Sequence, residues 1–207
     1  MDLKSSNKEI FEAIYANKIW NDNIPSIPLS GPGSSLQNTR DISVLLTEFI
    51  NKNNCKTILD LGCGDLTWMS RTPFFNNSTI KYTGVDVVES LINSHKQKYT
   101  QHTFLCKDLV YLNDIQPVSL IIIRDVLFHL KNEDIQAIFN NIRDKFDFIA
   151  ITSCKNEVNT DNFNKWHFTE KNIHKPPFNR SHNYLHRIEE PAFNRLFNIF
   201  SHEQFYT

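Results

Sequence analysis

The sequence contains little glycine, with 5 residues among 207. Gly31 and Gly33 flank a proline in "LSGPGSS", and the other three glycines stand in "ILDLGCGD" and "YTGVD". Glycine permits left-handed backbone and a close approach of other groups to the chain. Because none is left over for ordinary turns, glycine marks candidate sites in this chain.

Excess charge and long apolar runs are also lacking. The formal net charge of -1 gives no overall basic field that would attract nucleic acid. The most apolar run, "VSLIII", stops at Arg124 and is too short to span a membrane. The N-terminus shows no basic start followed by an apolar run. We therefore expect a cytoplasmic protein with no nucleic-acid or membrane partner.

Cysteine and histidine do not form metal-binding patterns. The four cysteines, Cys55, Cys63, Cys106 and Cys154, form no CxxC pair, and three of them fall inside or beside predicted strands, where a thiol behaves as a small hydrophobe. His167, His174 and His182 also form no HxxxH or other metal-ligand spacing with one another. Reduced cysteines and no metal site are expected.

The apolar pattern predicts two helices followed by alternating strands and helices. Apolar residues at helical spacing predict one helix over residues 6–20, and Asn38 or Thr39 caps a second through residue 54. The runs "KTILDL", "IKYTGVDV", "HTFLCKD", "VSLIIIRD" and "FDFIAITS" predict parallel strands, with two further strands near the C-terminus. We expect one α/β domain over residues 1–207, with a doubly wound, mostly parallel seven-stranded sheet.

A glycine turn follows the first predicted strand. In "TILDLGCGD" the strand ends at Asp60, Gly62 permits a tight turn, and Gly64 would let a ligand approach the backbone. A helix after the turn would present free N–H groups at its N-terminus. A glycine turn alone is weak evidence for a ligand site, since such turns also occur for structural reasons.

Carboxylates also end the next two predicted strands. Asp86 is placed to accept bonds from ribose hydroxyls, and Asp108 is placed to accept an adenine amino proton with Leu109 against the ring. The alternative is a coincidence of turns and solvated acids. Three consecutive strands that end in acids favour an adenosine site, with Val87 beside it.

The motifs "ILDLGCGD", "YTGVDVVESLI", "KDL" and "IIIRDVLFHL" resemble the successive motifs of class I S-adenosylmethionine-dependent methyltransferases. The resemblance implies a Rossmann-like methyltransferase fold and S-adenosyl-L-methionine as the cofactor. It assigns residues 1–54 to N-terminal helices and a lid loop, 55–154 to the cofactor-binding core, and 155–207 to a substrate-side loop and the final strands. Asp60 would favour the ammonium group of a methionine moiety and repel a pyrophosphate.

A narrower resemblance rests on Trp20 with "SGPGSS", on "LDLGCGDLTW" and "RDVLFHL", and on "PPFN". These motifs are similar to those of a bacterial subgroup found with capsule and surface-glycan biosynthesis, including enzymes proposed to methylate phosphoramidate groups. The subgroup implies O-methylation of a small molecule or glycan precursor, such as a sugar hydroxyl or a phosphoryl or phosphoramidate oxygen. The expected partner is a small-molecule acceptor or one linked to a nucleotide or sugar.

Three candidate catalytic residues follow the fourth strand. Asp125 and His129 are spaced to share one face of a predicted helix, so His129 could accept a hydroxyl proton with Asp125 orienting it. The alternative is that His129 packs under the helix and Asp125 caps it. Arg124 could instead orient an anionic group of the substrate or cofactor, or pair with neighbouring acids.

Two loops complete the expected site. In "SGPGSS", Ser34 or Ser35 would contact the methionine carboxylate or an anion of the acceptor, and the alternative is a rigid turn between helices. In the later loop, Lys171, Lys175 and Arg180 could supply charge for a phosphorylated acceptor, although a solvated loop explains them too.

Two other functions remain open from the sequence. A non-catalytic partner module that binds S-adenosylmethionine would keep the adenosine site without turnover. An RNA or protein methyltransferase would also carry these motifs, but the near-neutral charge and the lack of a recognition domain disfavour it.

Overall fold

The computed structural model describes residues 6–207 and contains one seven-stranded sheet with the strand order β3-β2-β1-β4-β5-β7-β6. The strands are β1 Thr57–Leu61, β2 Lys81–Asp86, β3 Thr103–Cys106, β4 Val118–Ile123, β5 Phe146–Cys154, β6 His186–Glu190 and β7 Arg195–Ser201. The α-helices are α1 Asn7–Ala16, α2 Arg40–Lys52, α3 Glu89–Lys98, α4 Asn132–Asn141 and α5 His202–Tyr206.

The first five strands are parallel, and β7 is antiparallel to both β5 and β6. Successive residues of β4 are buried on opposite faces, with Leu120 and Ile122 in one apolar cluster and Ile121 and Ile123 in the other. Burial on both faces explains why this strand is an uninterrupted apolar run. The predicted α/β fold with a doubly wound, mostly parallel sheet is confirmed.

The N-terminal region forms the predicted helices with shorter bounds. α1 ends at Ala16, Lys18 takes a positive φ of 52°, and the chain continues as a 3₁₀ helix, Ile19–Asn21. α2 begins at Arg40, and its 13 residues make it the longest helix of residues 6–207. In this part of the chain we find no helix with the length and apolar character needed to cross a membrane.

Two predicted helices are wrong. After the glycine turn the chain contains a 3₁₀ helix, Met69–Arg71, because Leu66 adopts a φ of 57° that a right-handed helix cannot include. After β4, Asp125 has a φ of 58°, a short 3₁₀ helix covers Leu127–His129, and α4 starts at Asn132. Asp125 and His129 therefore do not share a helix face.

The last strand, predicted from the sequence over "RLFNIFSHEQFY" at residues 195–206, is shorter than expected. β7 ends at Ser201, and the residues that follow it form α5, whose Phe205 is fully buried. Ser201 caps this helix, because its hydroxyl accepts a bond from the Gln204 N–H and the Gln204 side-chain oxygen accepts one from the Ser201 N–H.

Candidate active site

A cavity of ≈ 550 Å³ opens at the carboxyl ends of the parallel strands. This volume falls within the range of small-molecule sites, roughly 300–1,000 Å³. Asp60, Asp86 and Asp108, which end or follow β1, β2 and β3, all line it. The structure therefore brings the three predicted carboxylates together at one edge of the sheet.

The glycine turn is fixed by its bonds to β2. Gly62 has a φ of 76°, and its N–H donates to the Val85 carbonyl at 2.8 Å. The Gly64 N–H donates to Asp86 Oδ2 at 2.9 Å, while the Val88 N–H donates to Asp86 Oδ1 at 3.0 Å. Asp86 thus links the turn to the start of α3, and burial raises the pKa of its carboxyl.

The space beside Gly64 is filled by the loop that contains "LSGPGSS". A Cβ atom on Gly64 would lie 2.5 Å from Ser30 Oγ and 3.1 Å from the Tyr15 hydroxyl. Ser30 is held there because its N–H donates to Asp65 Oδ2 and its Oγ accepts from the Asp65 N–H, each at 3.0 Å. The expectation that Gly64 is reserved for ligand approach is therefore incomplete, because in this structure it admits Ser30.

Asp60 lines the cavity but is buried, with 4% of its surface exposed. The Tyr82 hydroxyl donates to Asp60 Oδ2 at 2.6 Å. Burial raises the pKa of Asp60 to about 7, although the bond from Tyr82 opposes this rise. Asp60 is consequently poised between its neutral and charged forms near neutral pH.

One end of the cavity, where the sequence predicts an adenosine site, is bounded by residues at the ends of β2 and β3. Val87 and Leu109 line it together with Asp108, whose Oδ1 accepts a bond from the Val110 N–H at 3.0 Å. Leu109 is buried with 8% exposure and supplies an apolar surface beside the Asp108 carboxylate. This pairing suits a ring that is flat, apolar on its faces and able to donate a hydrogen bond at its edge.

Arg124 lies in a buried ion-pair cluster, which we define as Arg124, Asp125, Glu190 and Arg195. Arg124 contacts Glu190 Oε2 at 2.9 Å and Asp125 Oδ2 at 3.0 Å. Arg195 contacts the same Asp125 oxygen at 2.8 Å. Both arginine side chains are at least nine-tenths buried. Asp125 therefore pairs with two arginines and does not orient His129.

The structure separates the two serines singled out in the loop. Ser34 is buried and lines the cavity, and its hydroxyl lies 3.5 Å from the Ser30 carbonyl. Ser35 is not among the residues of the cavity wall, and its hydroxyl accepts a bond from the Asn38 N–H. Of the two, Ser34 is the one positioned to reach a ligand.

His129, in the 3₁₀ helix that follows β4, also lines the cavity. Its Nδ1 lies 2.6 Å from the His167 carbonyl, so Nδ1 carries the proton and Nε2 holds the free lone pair. The Trp20 ring stacks on the imidazole at a centroid distance of 4.5 Å. Burial lowers the pKa of His129 to about 4, so the ring is neutral at physiological pH.

Several cavity residues are absent from the sequence-based site. Arg195 is one, because it contacts Asp125 only through the fold and stands at the start of the last strand. The other missed residues include the aromatic side chains that line the cavity: Phe11, Tyr15, Trp20, Trp68, Phe128, Trp166, Phe168 and Phe193. A single charge ahead of the apolar strand "LFNIF" is the signal that would have pointed to Arg195.

The lysines of the later loop do not reach the cavity. Lys171 is fully buried, and its ammonium contacts Asp161 Oδ1 at 2.6 Å and Asn132 Oδ1 at 2.7 Å. Lys175 pairs with Glu157 at 2.6 Å. These lysines hold the loop in place, and their charges are already compensated.

Residues 58–147, which run from β1 into β5, match the protein family described as methyltransferase domain. This segment of the chain is therefore similar to a methyltransferase domain. The matched segment includes the glycine turn, the three carboxylates and the stretch from Arg124 to His129. It leaves out the loop that contains "LSGPGSS" and the last two strands. No curated protein sequence matches the chain.

Solved structures share the fold of this chain over almost its whole length. The magnesium protoporphyrin IX methyltransferase from Synechocystis PCC 6803, crystallised with S-adenosylmethionine, has a TM-score of 0.65 and 16% identity, covering 96% of this chain and 97% of its own. The N-methyltransferase NodS from Bradyrhizobium japonicum WM9, crystallised with S-adenosyl-L-homocysteine, has a TM-score of 0.64 and 13% identity, covering 95% and 98%. The predicted methyltransferase class and its S-adenosylmethionine cofactor agree with these comparisons.

The tight packing of the glycine turn predicts a specific steric conflict. A Cβ on Gly62 would lie 2.5 Å from Val126 Cγ2. Gly62→Ala should therefore destabilise the protein through overpacking, by roughly 1–3 kcal/mol, in addition to strain at its positive φ. In a Val126→Ala background the overpacking part should disappear. Urea denaturation of the four proteins measures both effects, and an equal cost in the two backgrounds would contradict the packing.

The burial of His129 predicts its protonation state. Its ¹⁵N resonances should report a neutral ring with the proton on Nδ1 from pH 8 down to about pH 5, because its pKa is lowered to about 4. Long-range ¹H–¹⁵N spectra across this range, with His129→Gln to assign the signal, measure this. Titration of the assigned signal near 6.5, the usual histidine value, would show that the ring is not enclosed as described.

Proposed function

We propose that this chain transfers the methyl group of S-adenosylmethionine to an oxygen atom of a small-molecule acceptor. The observation that carries the proposal is the convergence of three strand-end carboxylates and a glycine turn on one cavity of a chain whose residues 58–147 match a methyltransferase domain. The shared fold supports it, since such sheets bind ligands outside the carboxyl ends of their strands.

The chemistry of the cavity wall fits this cofactor. Asp108 and Leu109 would hold the adenine, Asp86 would accept bonds from the ribose hydroxyls, and Asp60 would face the ammonium of the methionine moiety. Within residues 6–207, the charged side chains that line the cavity are six aspartates and two arginines. A ligand with a sulfonium and an ammonium group is attracted to such a wall.

The bound cofactor would supply an electrophilic methyl group, and the residues of this chain would position the acceptor against it. Methyl transfer requires the attacking oxygen, the methyl carbon and the sulfur in line, so orientation and exclusion of water contribute most of the rate enhancement. His129 Nε2 would accept a hydrogen bond from an acceptor hydroxyl and orient its lone pair. Ser34 would contact the methionine carboxylate from the side of the loop.

The charge of the cavity bears on the acceptor. Both arginines of the wall are paired with carboxylates, so neither is a free cation for an anionic group. Among the acceptors suggested by the resemblance to capsule-associated enzymes, a phosphoryl or phosphoramidate oxygen therefore fits least. A neutral hydroxyl on a small molecule, including one on a glycan precursor, fits the wall better.

The proposal is tested by calorimetric titration of S-adenosylmethionine into the purified chain, followed by a search for S-adenosylhomocysteine formed with candidate acceptors. Asp86→Asn should weaken cofactor binding by roughly ten- to a hundredfold, the effect of losing a charged hydrogen-bond partner. Asp147→Asn, at an exposed position outside the cavity wall, is the matched control and should bind as the parent does. Absence of binding by the parent chain would refute the proposal.

The raised pKa of Asp60 predicts a pH-dependent affinity. A cationic ligand favours the ionised carboxylate, so cofactor affinity should increase as the pH rises through about 7, the pKa of Asp60. Asp60→Asn cannot ionise and serves as the reference that removes the titration of the ligand's own amino group. The ratio of the two dissociation constants between pH 6 and pH 8 is the quantity to measure, and a constant ratio would mean that Asp60 does not face the cation.

A further inference from the structure

The aromatic side chains of the cavity are concentrated away from the adenosine carboxylates. In the strand order, β2 and β3 lie on one side of β1, and β4, β5 and β7 lie on the other. Phe128 follows β4, and Phe193 precedes β7. The Phe168 ring packs 4.9 Å from Phe128, which places it in the same half. We call Phe128, Phe168 and Phe193, together with Trp20, the aromatic wall.

Three polar groups beside the aromatic wall are already bonded within the protein. The Trp20 indole N–H donates to the Trp166 carbonyl at 2.8 Å. The Asn164 side-chain oxygen accepts bonds from the Trp166 and Phe168 N–H groups at 2.9 and 3.1 Å. His129 Nδ1 is bonded to the His167 carbonyl, which leaves Nε2 as an available acceptor.

The charges next to the aromatic wall are also compensated. The Arg195 guanidinium lies 4.3 Å from the centre of the Phe193 ring and 5.3 Å from that of Phe128, and it pairs with Asp125. Asp125 Oδ1 and Arg195 Nε lack a hydrogen-bond partner, but both atoms are covered and do not reach the cavity surface. A ligand in this half meets mainly aromatic rings, and its polar contacts are the His129 Nε2 lone pair, the Asn164 amide N–H groups and the outer nitrogen of Arg195.

From this arrangement we infer that the methyl acceptor is a flat, uncharged aromatic molecule with a ring hydroxyl. The inference rests on the proposed function and names the substrate class for the same cavity. The ring would pack against the aromatic wall, and its hydroxyl would donate to His129 Nε2. In the transfer, the hydroxyl oxygen forms the bond to the methyl carbon, the carbon–sulfur bond breaks with its electrons remaining on sulfur, and the hydroxyl proton leaves through the imidazole to solvent.

A sugar fits this half of the cavity less well. A hexose buries several hydroxyls, each of which needs a partner, and an unpaired buried hydroxyl costs about 1–3 kcal/mol. Bonds within the protein already use the Trp20 indole N–H, the Asn164 side-chain oxygen and His129 Nδ1, which leaves few partners for several hydroxyls. A phosphorylated acceptor would in addition need a free cation, and the two arginines that line the cavity, Arg124 and Arg195, are paired with carboxylates.

Three matched probes separate these acceptors. 2-Naphthol is neutral and flat, 2-naphthyl phosphate adds an anion to the same ring, and methyl α-glucopyranoside is neutral but not aromatic. Each is titrated calorimetrically into the chain with and without saturating S-adenosylhomocysteine, which blocks the adenosine half. In its presence, we expect 2-naphthol to bind at least tenfold more tightly than either of the other two probes.

Variants then locate the bound probe. Phe168→Ala should weaken 2-naphthol binding at least fivefold, Phe168→Leu should recover part of it because apolar bulk is kept, and Tyr111→Ala, 77% exposed and outside the cavity wall, should have no effect. S-Adenosylhomocysteine affinity, measured for each variant, shows whether the adenosine half is intact. In separate reactions with S-adenosylmethionine and no added S-adenosylhomocysteine, 2-methoxynaphthalene is sought by mass spectrometry.

The outcomes distinguish this inference from the proposed function. If the cofactor binds but the glucoside or the naphthyl phosphate binds as tightly as 2-naphthol, the acceptor class is wrong and the proposed function stands. The same conclusion follows if 2-naphthol binding ignores both Phe168→Ala and Phe193→Ala. If neither S-adenosylmethionine nor its product binds, the proposed function fails, and the response of 2-naphthol binding to these two variants still decides whether the aromatic wall holds a flat ring.

Discussion

The buried ion-pair cluster holds together parts of the chain that are distant in sequence. Arg124 follows β4, Glu190 ends β6, Arg195 begins β7, and Arg124 also donates to the Gly33 carbonyl at 3.0 Å. Charges removed from water in this way are stable only when each has its partner, and loss of one partner of a buried pair costs about 3–5 kcal/mol. The cavity wall therefore depends on four side chains whose charges cancel.

Gly33 shows why the loop that contains "LSGPGSS" needs its glycines. A Cβ on Gly33 would lie 2.8 Å from Asp125 Oδ2 and 3.1 Å from an Arg195 nitrogen. Gly31 has a φ of 87°, and Pro32 begins the short 3₁₀ helix that follows it. The loop can thus lie directly on the ion-pair cluster, as Ser30 lies on Gly64. Gly33 and Gly64 therefore stand where a side chain on the cavity wall would collide with a neighbouring segment.

The sheet and the three carboxylates could be predicted because their signals are local. A buried parallel strand is an apolar run, and an acid followed by a glycine turn is visible within a few residues, as at Asp60. The two false helices have a different origin, because Leu66 and Asp125 adopt left-handed backbone without being glycine, so no residue type announces the break.

Partners brought together only by the fold could not be found in this way. Arg195 and Asp125 are separated in the chain by α4, β5 and β6, and Trp20 stacks on His129 although more than 100 residues lie between them. Single aromatic residues scattered along a chain are usual for an apolar core, so nothing marked Phe168 or Phe193 as part of a site. The aromatic side of the cavity is therefore known only from the structure, whereas the three carboxylates of the other side were predicted from the sequence.

The segment from Asn164 to Phe168 bonds two rings of the cavity wall through its backbone carbonyls. The Trp166 carbonyl accepts from the Trp20 indole N–H, and the His167 carbonyl accepts from His129 Nδ1. Separating this segment from the rest of the wall to admit an acceptor would remove the bond that fixes the imidazole tautomer. The same movement would hydrate the ring and restore its ordinary basicity. The closed cavity mouth therefore keeps the imidazole neutral with Nε2 free to accept a hydrogen bond, whereas the ring is more basic only when the mouth is open.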